Sequence, residues 1–314
     1  MITPTESFLK VQYDVRPAKQ VERRMLLDTF QTLLSSGFPL RDYKYVGFGS
    51  MYFVDFILFH KILGLNKFLS VEICEDYESR VHFNKPFNNI EIEIAPISDI
   101  IPRFDNDEKY LLWLDYDIGL CRDCVNDISL ATYKLSPGSI ILITIDARSP
   151  ENKDTPNEWY TYLKDEVGSF FDYNWTLTNF RKTNLNNIYT KILFNAINSG
   201  LHTRENVRFF PLFNFLYKDS CPMLTVGGII GTNVEERQIR SCDFSNAKFI
   251  RDNIDDEPYA IRVPRLTRKE RIFLDQNMPC RDDWKCKAFK LDGADILAYR
   301  DIYRYFPMYA EFLI

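Results

Sequence analysis

The chain has 314 residues, 46% hydrophobic and 15% aromatic, enough to bury the core of one large domain with or without an appendage. A formal charge of −5 gives no support to bulk attraction for nucleic acid, although a local basic patch is compatible with it. No run of eighteen apolar residues marks a membrane span, and the N-terminus lacks the basic flank and apolar stretch of a secretion signal. Seven cysteines, an odd number set mostly in apolar segments, fit reduced thiols in a cytoplasmic protein better than a disulfide framework.

Residues 17–35 (PAKQVERRMLLDTFQTLLS) read as a helix. Pro17 suits its first turn, Val21, Met25, Leu26, Phe30, Leu33 and Leu34 form an apolar stripe, and Gly37 and Pro39 end it. Arg16, Lys19 and Arg23 recur at spacings of three and four and share one face. The plainer reading of that face is a solvated one; the sharper reading is a grip on an anionic substrate or on a cofactor carboxylate.

Strand and helix then alternate. Strands are expected at 45–47, 68–72, 90–95, 110–114 and 139–145, with helices at 52–63, 76–83 and 123–134. Strands separated by helices imply right-handed crossovers and a mainly parallel sheet covered on both faces. Residues 149–180 read as a loop followed by a helix, an insertion or lid. A helix over 184–198, ended by Gly200, precedes two apolar runs, 213–217 and 224–230, joined by a short polar segment and read as an antiparallel hairpin. Residues 232–260 are polar, 266–276 form a helix capped by Thr267 and Glu270, and 280–314 form an aromatic tail. The expected organisation is an N-terminal helical segment (1–43), a Rossmann-like domain of seven strands with a terminal antiparallel hairpin (44–231), and a C-terminal extension packed on it (232–314).

The order of chemical signals carries the functional reading. The first strand ends in Gly47-Phe48-Gly49-Ser50 and runs into a helix, so the backbone turns sharply and approaches a ligand at a helix N-terminus. The second strand ends in Glu72, 23 residues after Gly49, where a carboxylate is placed to hold two ribose hydroxyls. Ser98 and Asp99 follow the third strand and could reach an adenine amino group; Asp115-Tyr116-Asp117 ends the fourth. All lie on the carboxyl edge of the sheet, where open α/β folds bind ligands.

Over roughly residues 44–230 the chain resembles the class I methyltransferase superfamily. YVGFGSMYFVDF looks like its motif I, LSVE like motif II, Ser98-Asp99 like the adenine-contacting motif, LLWLDYD like motif IV, and LSPGSIILITID like the turn and fifth strand. The hairpin FNFLYKD…PMLTVGGII resembles the reversed last strand of that fold. The resemblance implies methyl transfer from S-adenosylmethionine, with Gly47 and Gly49 at the methionine part, Glu72 on the ribose, Asp99 at the adenine and Asp115 bordering the acceptor. Motif I departs from the pattern in lacking an acidic residue before the glycines and a third glycine.

Methyl transfer is an in-line displacement, so the protein mainly aligns nucleophile and methyl and excludes water. An oxygen or nitrogen acceptor could need a proton removed, and of Asp115 and Asp117 the former is favoured to face the pocket. Asp146 ends the fifth strand and with Asp115 could touch the substrate or a magnesium ion, but the next residue is Ala147, so a metal is not expected. Cys121-Arg-Asp-Cys124 has metal-like spacing without a matching second pair, and no histidine shows HExxH spacing. His60 reads as a packed or partly exposed residue, and the basic stretch 262–271 as an ordinary exposed helix before a nucleic-acid contact. Two rivals remain: a nicotinamide-dependent oxidoreductase, disfavoured by the bulky Tyr52 and Phe53 where a small residue is needed, and a catalytically silent binding module. Binding of S-adenosylmethionine, of NAD or of neither separates the three readings.

Overall fold

The computed structural model describes residues 15–307. Eight strands form one sheet in the order β3-β2-β1-β4-β5-β7-β6-β8. They are β1 (Lys44–Gly47), β2 (Lys67–Glu72), β3 (Ile90–Ile94), β4 (Tyr110–Gly119), β5 (Ile140–Asp146), β6 (Arg208–Lys218), β7 (Pro222–Gly231) and β8 (Tyr259–Ile261). The first five pair in parallel, whereas β7 runs antiparallel between β5 and β6. The parallel strands read as nearly continuous apolar runs, as strands covered on both faces must: all seven residues of β5 are buried.

The sequence suggested seven strands. The eighth, β8, is three residues at the end of the stretch 232–260 taken as merely polar and just beyond it, and it adds in parallel to β6. A strand this short has too few residues for its alternation to stand out from irregular chain. The same stretch holds a helix, α8 (Asn233–Ser241), whose Thr232–Glu235 capping box was equally available to a reader of the sequence.

Two cores flank the sheet. One face carries Leu112, Leu114, Ile141 and Ile143 against α5 (Arg122–Lys134), α6 (Pro156–Val167) and α7 (Leu185–Leu201). The other carries Leu111, Trp113, Ile140 and Leu142 against α1 (Pro17–Ser35) and α2 (Val54–Leu58), the latter continued by a π-turn to Leu63. In α1, Val21, Met25, Leu26, Phe30 and Leu33 are all fully buried, so the expected stripe is the packed face. The remaining helices are α3 (Glu78–Asn84), the single turn α4 (Ile97–Ile100), α9 (Arg268–Asp275), capped by Thr267 and Glu270 as expected, and α10 (Gly293–Ile302).

Gly200 does not end its helix. It lies inside α7 where this helix crosses α5, and a Cβ there would stand 2.1 Å from the Ser129 carbonyl oxygen. The residue serves close packing of two helices, a requirement with no local signature. Among the described residues no helix is long and apolar enough to cross a membrane.

Candidate active site

The loop after β1 is built around two close approaches. A Cβ at Gly49 would stand 2.5 Å from Ser70 Oγ and 2.8 Å from the Phe53 ring, so no larger side chain fits without displacing them. Ser50 and Phe53 both take left-handed backbone angles, φ 52° and 48°, unusual for residues with a side chain and typical of constrained functional loops. Phe53 is wholly buried and fills the place where related folds keep a small residue.

Glu72 turns onto this loop. Its Oε1 accepts from the Ser50 amide at 2.7 Å and from the Ser70 hydroxyl at 3.0 Å. Ser70 Oγ in turn accepts the Gly49 N–H at 3.1 Å. Burial pushes the Glu72 carboxyl up to about 7, against the pull of these donors. Ser70 was not singled out from the sequence, although it sits two residues before Glu72 and therefore on the same face of β2. Ser50 Oγ is buried and has no hydrogen-bond partner among the described residues. A glycine at which no Cβ fits, an orphaned hydroxyl and a carboxylate at a strand tip fit the polar rim of an adenosine-bearing ligand.

β4 runs on to Gly119, past the Asp115–Asp117 end expected from sequence, with an irregularity after Asp115; within it Tyr116 stacks edge-on against Phe48 at 5.6 Å and donates to Asp127 Oδ2 at 2.9 Å. Burial raises the Asp127 carboxyl to about 6. Asp117 is exposed, as are Ser98 and Asp99 in the one-turn helix α4. The structure thus joins Gly47–Ser50, Glu72 and Tyr116 along the carboxyl edge, and leaves Ser98, Asp99 and Asp117 at its surface.

The α1 face read as solvated is instead buried. Lys19 and Glu22 have no exposed surface and Arg23 is 2% exposed. Lys19 Nζ lies 3.0 Å from Asp115 Oδ1, 3.0 Å from Glu22 Oε2 and 3.1 Å from Tyr217 Oη, over the Trp113 ring at 4.3 Å. Arg23 Nε bonds Asp55 Oδ1 at 2.5 Å. Spacing on a helix fixes which residues share a face; it does not reveal that another element brings carboxylates to that face. Lys19 is therefore enclosed by its partners, which corrects its assignment as a direct substrate ligand. Arg16 Nε stands 3.6 Å from Asp219 Oδ2, and Asp219 also caps α1 by accepting the Ala18 and Lys19 amides at 2.8 and 3.1 Å. Burial alone would raise the Asp115 carboxyl, but Lys19, Arg16 and Arg23 more than offset it and hold it below the ordinary range. Asp146, the other suggested substrate ligand, is taken by Arg148, which bonds its Oδ2 through Nε at 2.7 Å and its Oδ1 through the backbone amide at 2.9 Å.

Five parallel strands followed by a reversed one, a tight glycine loop after β1 and a carboxylate at the tip of β2 define a class I, Rossmann-like methyltransferase. Residues 11–314 match the model of a family described as "Putative O-methyltransferase", and the chain belongs to that family. The chain is thus a methyltransferase by family. No curated protein matches the chain. Among solved structures it is similar to the N-methyltransferase NodS of Bradyrhizobium japonicum WM9 in complex with S-adenosyl-L-homocysteine, at 13% identity, 69% coverage of this chain, 89% of that one and a TM-score of 0.39. It is also similar to cofactor-bound Rv0187 from MTB (11% identity, 73% and 87% coverage, TM-score 0.40) and to human N-acetylserotonin methyltransferase with SAM (13% identity, 73% and 61% coverage, TM-score 0.35).

Proposed function

We propose that Gly47, Phe48, Gly49, Ser50 and Glu72 hold S-adenosylmethionine, with Ser98 and Asp99 toward its adenine, and that an acceptor oxygen or nitrogen enters beside Asp115. The observation that carries this reading is the 2.7 Å hydrogen bond from the Ser50 amide to Glu72, which brings the strand-tip carboxylate against the glycine loop. When bound, S-adenosylmethionine supplies a methyl group on a sulfonium, already electrophilic without help from the protein.

The residues of the chain do the remaining work. The loop amides and Glu72 fix the donor, and the edge-on Phe48–Tyr116 pair supplies apolar surface beside the loop that would keep water from it. Asp115 is the acceptor-side carboxylate. Held ionised by Lys19, it is a weak base, so its main part is to accept a hydrogen bond from the acceptor group and orient its lone pair. Lys19 and Arg16 act through Asp115 rather than by touching the acceptor, and Asp117 stands exposed two residues further along β4. This reading places the protein in the cytoplasm and its acceptor specificity in residues 149–180 and 232–314.

Calorimetry with S-adenosyl-L-homocysteine tests the donor half. Wild-type protein should bind it and Glu72→Ala should not, with NAD inert towards both; equal binding by the two proteins would end this assignment. Transfer of a labelled methyl group to protein, nucleic acid or small metabolites then identifies the acceptor.

A further inference from the structure

The Cys121-Arg-Asp-Cys124 segment forms the N-cap and first turn of α5, just after β4, and the methyl-transfer reading makes no use of it. Cys121 is the N-cap of α5, in extended backbone conformation, and its sulfur accepts the Cys124 amide at 3.4 Å. The two sulfurs lie 2.9 Å apart as free thiols. Their environments differ. Cys121 is half-buried and open to a small reagent, whereas Cys124 is 1% exposed. The hydrogen bond from the Cys124 thiol, helped by the amide, holds Cys121 below the ordinary thiol range, and Cys124 is raised correspondingly. An accessible thiol of lowered basicity at a helix N-terminus, with a second thiol buried behind it, is the arrangement of an attacking and a resolving cysteine.

We propose that Cys121 and Cys124 form a reversible thiol–disulfide site, oxidised by a low-molecular-weight disulfide. The Cys121 thiolate attacks one sulfur of the small disulfide, whose S–S bond breaks and releases one thiolate, which takes up a proton. Cys124 then loses its proton to the medium and attacks Cys121 Sγ, expelling the second small thiol. The protein gives up two electrons and two protons, and the small disulfide becomes two thiols. The loop is anchored while this happens, because the Arg122 amide donates to Glu166 Oε1 of α6 at 2.8 Å. The other five cysteines, Cys74, Cys221, Cys242, Cys280 and Cys286, are free, and none of them shows this contact.

The test uses the full chain and oxidised glutathione, with acid quench, alkylation and peptide mass mapping. The reduced protein carries seven alkylatable thiols; after oxidation the number should fall to five, with no glutathione mass retained, Cys121 and Cys124 in one disulfide-linked peptide, and full reversal by dithiothreitol. Cys124→Ser should trap one glutathione on residue 121, and Cys121→Ser should show neither product. Retention of all seven thiols, a stable glutathione adduct on the wild type, or loss mapped to other cysteines would each overturn the proposal. The wild-type map decides the matter even if a variant folds poorly.

Discussion

Lys19 Nζ and Asp115 Oδ1 lie 3.0 Å apart across 96 residues of sequence, tying the helix before the sheet to the middle of the central strand β4. The ammonium is fully enclosed, and Glu22 beside it is a buried carboxylate whose proton affinity burial has raised. Lys19→Met would strip Glu22 and Asp115 of the cation nearest to both, and breaking a buried pair from one side costs about 3–5 kcal/mol. The urea midpoint should fall accordingly. Adding Glu22→Gln and Asp115→Asn to the same protein should restore part of the loss, because the stranded charges are gone; three effects that simply add would contradict a shared network.

Glu72 sets a pH dependence. Its carboxyl is raised to about 7 in the free protein, and ribose hydroxyls that donate to it favour the ionised form. Affinity for S-adenosyl-L-homocysteine should therefore rise with pH, by at most about tenfold per unit below 7, and level off above it. The stability of the ligand-free protein runs the other way. A carboxyl whose folded value is raised contributes stability at low pH that is lost as pH climbs from the ordinary carboxylate range through about 7. Glu72→Gln should flatten both profiles, as calorimetry and thermal melts at several pH values would reveal.

Ser70 is a positioning residue, bridging the Gly49 amide and Glu72. Ser70→Ala removes a donor that favours ionised Glu72, so the midpoint of the binding profile should move to higher pH. The lost hydrogen bond is worth about 0.5–1.5 kcal/mol, or roughly 2- to 12-fold in affinity. A weaker affinity with an unmoved midpoint would mean that Ser70 only supports the fold.

Two glycines should separate binding from folding. Gly49→Ala forces a Cβ against Ser70 and Phe53 in the loop and should abolish S-adenosyl-L-homocysteine binding. Gly200→Ala forces one against the Ser129 carbonyl between α7 and α5, far along the chain from the loop, and should cost about 1–3 kcal/mol of stability or more while the dissociation constant of the folded protein stays unchanged. Unfolding curves and calorimetry on both variants check the contrast.

Much of the central sheet was legible because its signals are local. The alternation of apolar strands and amphipathic helices located β1 to β5, and strand–loop–helix context and spacing singled out the Gly47–Ser50 loop and Glu72, which a hydrogen bond from the Ser50 amide brings together. The capping box at Thr267 and Glu270 is a three-residue signal and held for the same reason. What escaped was set by contacts between distant segments. Helical spacing gathered Arg16, Lys19 and Arg23 on one face, but nothing near them in sequence gives the positions of Asp55, Asp115, Tyr217 and Asp219. Gly200 looked like a stop signal because its actual neighbour, Ser129, is in another helix.

The two margins of the sheet are both defended. On one side β3 alternates isoleucine with Glu91 and Glu93, which pair with Lys44 and Arg103 at 2.8 and 2.7 Å. On the other, β8 spans three residues between Pro258 and Pro264, neither of which can donate to a further ladder. Charge on one rim and brevity with proline on the other discourage a second copy from adding strand to strand. Self-association through strand pairing at Glu91 and Glu93 or at β8 is therefore disfavoured, and helical or loop surfaces are the better candidates for it.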